Sequence, residues 1–149
     1  MSEENPIRYL AIDLGSKRIG VAVSDELGLT AQPLMTLERR RSPREDLRSL
    51  ARLARRNGVA AIIVGLPLHM SGEESSRAAK SRVFAEELKT MTGLPVYLWD
   101  ERLTSEEAHQ ILYRAGRRRQ EHKDVVDQVA AALILESFLA EHDALKRRV

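Results

Sequence analysis

Near the N-terminus, apolar residues recur at every second position. Ile7 to Leu14 is a largely apolar run, Gly15, Ser16 and Lys17 supply a turn, and Arg18 to Ser24 sets Ile19, Val21 and Val23 on one side of an extended segment. A period of two is the strand signature, and two such runs joined by a short polar turn predict an antiparallel hairpin. A third extended segment, about 32–38, completes a meander. Pro33 within it has no N–H to give to a ladder, which predicts an edge strand or a strand start. Asp13 then lies at a strand end.

The period changes after Ser42. Ser42, Pro43 and Glu45 supply a capping hydroxyl, a first-turn proline and a first-turn acid, and Leu47, Leu50, Ala51 and Ala54 follow at helical spacing until Asn57 and Gly58 stop them. Ala60 to Gly65 is a short continuous apolar run of the kind buried in parallel sheets. A second helix, about 75–92, ends at Gly93, and the strand Val96 to Trp99 follows with Asp100 and Glu101 just beyond it. Thr104 to Glu107 is another capping box and opens a predicted helix to about Tyr113. Arg114 to Lys123 is basic, polar and interrupted by Gly116, which predicts a loop. Asp124 is placed to cap a last helix whose apolar residues run to Leu139. On it Asp127, Ala130, Ala131 and Ile134 share a face, so a first-turn carboxylate heads a stripe of small and apolar residues that allows close approach to a sheet.

Three antiparallel strands followed by two helix-to-strand crossovers define an α/β fold. The expected sheet is mixed and five-stranded, three antiparallel strands then two parallel, with helices on both faces. If strand one is central and the fifth strand lies on the side of the parallel strands, Asp13 and Glu101 project from neighbouring positions and Asp127 approaches from the packed helix. Three hard anionic groups in one place are what Mg²⁺ or Mn²⁺ requires beside a phosphodiester, with two ions held about 3.5–4 Å apart and Asp13 bridging them. The expected products carry 5′-phosphate and 3′-hydroxyl ends. Without metal the three anions repel, which predicts a site that is strained, partly protonated or splayed.

Composition narrows the class. A chain of 149 residues is expected to form one domain over 1–149, with an ordered core of about 7–140. No cysteine is present, which excludes disulfides, thiolate zinc sites and cysteine nucleophiles. The opening Met1 to Pro6 is acidic where a secretory signal is basic, and the longest apolar run, Val129 to Leu135, is far short of a membrane span, so the expected location is cytoplasmic with no membrane role. The net charge of +2 is too small to argue for nucleic acid, but Arg39 to Arg41, Arg117 to Arg119 and Lys146 to Arg148 concentrate positive charge in clusters.

Plainer roles compete for each residue. Asp13 suits acceptance of turn N–H groups, Glu101 suits pairing with Arg102, and Asp127 suits the positive end of a helix dipole. Lys17, Arg18, Arg102 and Lys123 lie near the acids in sequence and are candidate phosphate contacts, with hairpin locking the alternative for Arg18. Arg117, Arg118 and Arg119 are a candidate nucleic-acid clamp. Tyr97 and Trp99 read as core rather than as base-stacking platforms. The four histidines show no metal-ligand spacing.

Four segments in order carry a family resemblance. Asp13 to Gly20 resembles a D-x-G-x-x-R-x-G hairpin, Gly65, Leu66 and Pro67 with Gly72 resemble a G-L-P loop, Asp100 to Thr104 resembles a D-E-R-L-T segment, and Lys123, Asp127, Ala130 and Ala131 resemble a closing K-x-x-x-D-x-x-A-A helix. Over about 7–139 the chain resembles the YqgF family of Holliday-junction-resolvase-like nucleases in the ribonuclease H-like superfamily. The resemblance implies a nuclease that processes the 5′ end of precursor 16S ribosomal RNA, with junction resolution as the alternative. It implies nucleic acid as partner, precursor ribosomal RNA or branched DNA, with a ribosomal subunit as a further candidate and a monomer or homodimer as the acting form. Two other classes compete: a sugar-kinase or actin-like nucleotide binder, for which a second lobe is missing, and a non-catalytic RNA-binding or transcription-associated factor acting through the arginine clusters.

Overall fold

A computed structural model of the chain describes residues 7–68, 71–72, 75–101 and 123–146. Among these residues are five strands, β1 (Tyr9–Leu14), β2 (Arg18–Ser24), β3 (Ala31–Glu38), β4 (Ala61–Leu66) and β5 (Val96–Asp100), and three helices, α1 (Pro43–Arg56) after β3, α2 (Ser76–Thr92) after β4 and α3 (Lys123–Lys146) after β5. The strands form one sheet in the order β3-β2-β1-β4-β5. β1 pairs antiparallel with β2 and β2 with β3, whereas β1 with β4 and β4 with β5 are parallel, as expected from the change of period. The helix predicted over 104–113 and the basic segment after it lie outside the described residues.

Local chemistry explains the boundaries. The Ser42 hydroxyl caps α1 by accepting from the Arg44 N–H at 3.2 Å, with Pro43 next in the chain. Ser75 caps α2 in the same way through the Ala78 N–H, and Gly93 closes it in the left-handed conformation at φ 72°. Pro33 does sit on an edge strand, and the β2–β3 register shifts beside it, between Val21 and Ala22. α3 begins at Lys123 rather than after Asp124, so Asp127 is its fifth residue, just beyond the first turn.

Strand alternation divides the core in two. Leu10, Ile12, Ile19, Val21, Ile62 and Val64 face α1 and α2, where they meet Leu47, Leu50, Phe84 and Leu88. Tyr9, Ala11, Ala22, Ala61 and Ile63 face α3 and meet Ala131, Ile134, Leu135 and Phe138. The small strand residues on the second face let α3 lie close. At Gly20 there is no room for any side chain, because a Cβ there would overlap the main-chain carbonyl of Asp127. At Gly65 a Cβ would lie 2.6 Å from Oε1 of Glu101 and 2.8 Å from Cδ1 of Ile134. These two glycines are bare so that a helix backbone and a carboxylate can occupy the sheet surface.

One strand reading needs correcting. Trp99 is core as expected: it stacks edge-on against Phe138 at 5.4 Å between ring centroids and donates its indole N–H to the Ser137 hydroxyl at 3.1 Å. Tyr97 is not core, being 46% exposed, because β5 is the outer strand and its Phe138 contact covers only part of the ring.

Gly20→Ala should therefore lift α3 from the sheet. Overpacking of this kind costs about 1–3 kcal/mol, and the expected outcome is a melting temperature lower by several degrees. An unchanged thermal midpoint would show that α3 does not rest on β2.

Candidate active site

Side-chain parity places the acids. Tyr9 and Ala11 of β1 face α3, so Asp13, two residues on, points to the same face, and its antiparallel partner across the ladder is Gly20. Asp127 sits above Gly20, its main chain against the glycine Cα and its own Cβ 3.1 Å from where a glycine Cβ would be. Glu101 follows β5 and continues the parity of Tyr97 and Trp99, so it too lies on the α3 face. β1 is central and β5 lies on the side of the parallel strands, as the expectation required, with β4 between them. Gly65 bridges that gap: having no side chain, it lets Glu101 lie across β4 toward Asp13.

Asp13 and Glu101 do meet. Their carboxyl groups lie close enough to share a hydrogen bond, an arrangement open to them only when one of the two is protonated. Burial is the main reason that the Glu101 pKa is pushed up from 4.5 to about 7, the negative charge of Asp13 is the next, and Asp100 adds to it, while Arg77 opposes the shift. Asp127 is held differently. Its Oδ2 accepts from Nε of Arg18 at 3.0 Å, in a pair only 16–18% exposed. Among the described residues no three acidic or histidine side chains are arranged to hold an ion. The three acids thus share one face, with Asp13 and Glu101 side by side and Asp127 turned to the Arg18 guanidinium.

The remaining candidates divide. Lys17 is exposed at the tip of the β1–β2 turn. Arg18 is a brace for Asp127, closer to the locking role than to a free phosphate contact. Arg102, Arg117, Arg118 and Arg119 lie outside the described residues, as does the side chain of Lys123, which begins α3. Two functional positions escaped sequence reasoning. Arg77, in the first turn of α2, reaches the Leu14 carbonyl at 3.4 Å and acts on Glu101 through its charge. Asp46, 2% exposed, binds Nε of Arg39 at 2.9 Å and the Arg40 N–H at 2.9 Å, while Arg39 donates to the Gly15 carbonyl at 2.7 Å and so braces the turn after Asp13. An acid at the fourth position of an amphipathic helix, on its buried side with Leu47 and Leu50, was the available signal for Asp46.

A mixed sheet with this order, carrying carboxylates at the C-terminal ends of β1 and β5 and on the helix that covers them, defines a ribonuclease H-like nuclease fold. Solved structures agree on the fold: a T. thermophilus RuvC bound to a Holliday junction covers 91% of this chain and 96% of its own at a TM-score of 0.59 and 15% identity. The yeast mitochondrial Holliday junction resolvase Ydc2 gives a TM-score of 0.52 at 13% identity, over 99% of this chain and 84% of its own. The family model described as RuvX, Holliday junction resolvase, matches residues 7–141, and the chain belongs to that family. Relatives named "Putative pre-16S rRNA nuclease" include one from Koribacter versatilis, 46% identical over 89% of this chain and 86% of its own length. Another, from Myxococcus xanthus, is 47% identical over 91% and 89%.

The elevated Glu101 pKa sets a sign for stability. The folded protein binds this proton more tightly than the unfolded chain, so the stabilisation is full below pH 4.5 and is lost as the pH rises through about 7. The melting temperature without divalent ions should fall between about pH 5 and pH 8, and Glu101→Gln should flatten that slope. A variant whose midpoint falls as steeply as the parent's would remove Glu101 as its source.

Proposed function

We propose that this protein is a metal-dependent nuclease that hydrolyses a nucleic-acid phosphodiester, with precursor 16S ribosomal RNA as its substrate and Asp13, Glu101 and Asp127 as its catalytic acids. The observation that carries the reading is the Asp13–Glu101 pair, two carboxyls brought together across a bare Gly65 in a half-buried position. Structural framework does not need that pair, since both acids would be less costly apart and solvated. The family membership and the names of the relatives support the same activity.

The donor set fits a hard divalent ion, Mg²⁺ or Mn²⁺: carboxylate oxygens from two strand ends, with a third acid one strand away on the same face. Asp13 and Glu101 would hold it, and Asp127 would join them. Such an ion, when bound, lowers the pKa of a water and stabilises charge on the leaving oxygen. The protein's own groups do the rest. A cation held by Asp13 and Glu101 would displace the proton that the raised pKa favours on Glu101, so metal affinity should rise with pH up to about 7. Arg18 keeps Asp127 on the acid face rather than in solvent. Lys17, exposed in the turn after Asp13, and Arg77, near Glu101, supply positive charge for the phosphate. Partial burial of the acids beside α3 reduces their contact with water and strengthens each of these interactions.

Junction resolution is the second reading, favoured by the description of the matching family. Incubating the protein with precursor 16S ribosomal RNA and with a four-way DNA junction, in Mg²⁺, Mn²⁺ or chelator, separates the two. Cleavage of the RNA is expected with either ion, leaving 5′-phosphate and 3′-hydroxyl ends, and none in chelator. Asp13→Asn and Asp127→Asn should each lower the rate by about 100-fold or more, at least the loss seen when a metal site's supporting groups are removed. Equal cutting by Asp13→Asn would end the metal-site reading, and cutting of the junction alone would reassign the substrate.

A further inference from the structure

A groove of about 280 Å³ opens beside the acidic site, on the other side of the β1–β2 turn. Three separate segments bring cations and main chain to it: Arg39, Arg40 and Arg41 from the β3–α1 corner, Arg77 and Lys80 from the first turns of α2, and Gly15 and Ser16 of the turn between them. Among the described residues that line it, none is acidic. Arg39 is neutralised by Asp46 and tied to the turn through Gly15, so it serves as a brace. Arg40, Arg41 and Lys80 are exposed, and among the described residues their side chains have no carboxylate partner.

We propose that this groove binds the backbone of the substrate strand, holding the phosphodiester next along from the one at the acids. The proposal rests on the nuclease reading above and adds to it the path of the strand. Two features separate the groove from an ordinary solvated charge run. The buried Asp46 fixes the corner by holding both the Arg39 side chain and the Arg40 main-chain N–H, so the run is ordered rather than free. Like charges gathered from separate segments repel one another, and a polyanion is the ligand that relieves the repulsion. Continuity with the acids is direct. Gly15 is two residues from Asp13, a reach of at most about 7 Å of extended chain, and Arg77 belongs to both places, lining the groove while acting on Glu101. A strand lying over the turn therefore passes from the acids on the α3 face to the cations at the start of α1 and α2. The cations that line it, with the main chain of Gly15 and Ser16, match a sugar–phosphate backbone.

The test uses Arg41→Ala combined with Lys80→Ala, both exposed and outside the core, so folding is retained. Arg52→Ala serves as a charge control, an exposed position on α1 nine residues beyond Pro43 and outside the groove. A fluorescent single-stranded RNA from the precursor is titrated against each protein in chelator across a series of salt concentrations, and cleavage is then followed with Mg²⁺. For the double variant the expected Kd near 0.1 M salt is roughly tenfold weaker or more, and the slope of log K against log salt is shallower by about 0.7 for each phosphate that is no longer neutralised. KM should rise by a similar factor, while Arg52→Ala follows the parent. An unchanged slope and KM in the double variant, or an equal loss in Arg52→Ala, would overturn the groove. Failure of the nuclease reading looks different: the parent then cuts nothing under any ion, yet the double variant still shows the weaker, less salt-dependent binding.

Discussion

Close approach of a helix backbone to a sheet governs this molecule. α3 can lie on β2 only because Gly20 has no side chain, and Glu101 can lie on β4 only because Gly65 has none. Neither glycine has a positive φ, so it is space rather than backbone conformation that demands them. Once the helix is down, Asp127 is carried to Asp13's partner position in the ladder and Glu101 is covered. Packing thereby creates an electrostatic problem. Acids that would each be solvated on an open surface are brought to one face, and burial beside Asp13 pushes the Glu101 pKa up. The same burial that makes the pair unfavourable when empty is what makes a cation favourable there, since a low local dielectric strengthens attraction as much as repulsion.

Two guanidinium–carboxylate pairs hold the arrangement from either side of the β1–β2 turn. Arg18 ties Asp127 of α3 to β2, and Arg39 ties the turn carbonyl of Gly15 to Asp46 of α1. Each commits one cation to structure rather than to ligand. The distinction matters for reading charge: the Arg39 to Arg41 run is continuous in sequence but divided in role, its first member committed to a buried acid and the next two exposed. Pairs as shielded as these are costly to break because the partner left behind keeps its charge. Both therefore set geometry, and what they set is the shape of the turn between the acids and the groove.

Much of this was legible in the residues. A period of two giving way to capping boxes and 3.6-residue spacing was enough for the meander, the crossovers and the mixed sheet, and proline in β3 marked the edge. The acids at strand ends followed from the same boundaries. What could not be read was lateral order. β4 lies between β1 and β5, and only with that order known does Gly65 become the space through which Asp13 and Glu101 meet. Arg77 was hidden for the same reason, its nearness to Glu101 being a product of how α2 packs beside β5 and not of sequence distance. Tyr97 was misplaced because alternation tells which face a residue takes but not how far a covering helix extends over an outer strand.

Substrate class can be argued from how the site is laid out. Resolving a four-way junction requires two symmetric cuts, hence two acidic centres related by a two-fold axis and presented to opposite strands. Trimming a precursor RNA requires one centre and a path for one strand. Here the acids lie at one end of the sheet, and the cations that adjoin them follow a single turn from the α3 face to the α1–α2 face, a course that suits one backbone crossing one edge. One fold is thus shared by relatives named for ribosomal RNA and by a neighbour bound to a Holliday junction, so the substrate is set by what surrounds the acids and not by the fold.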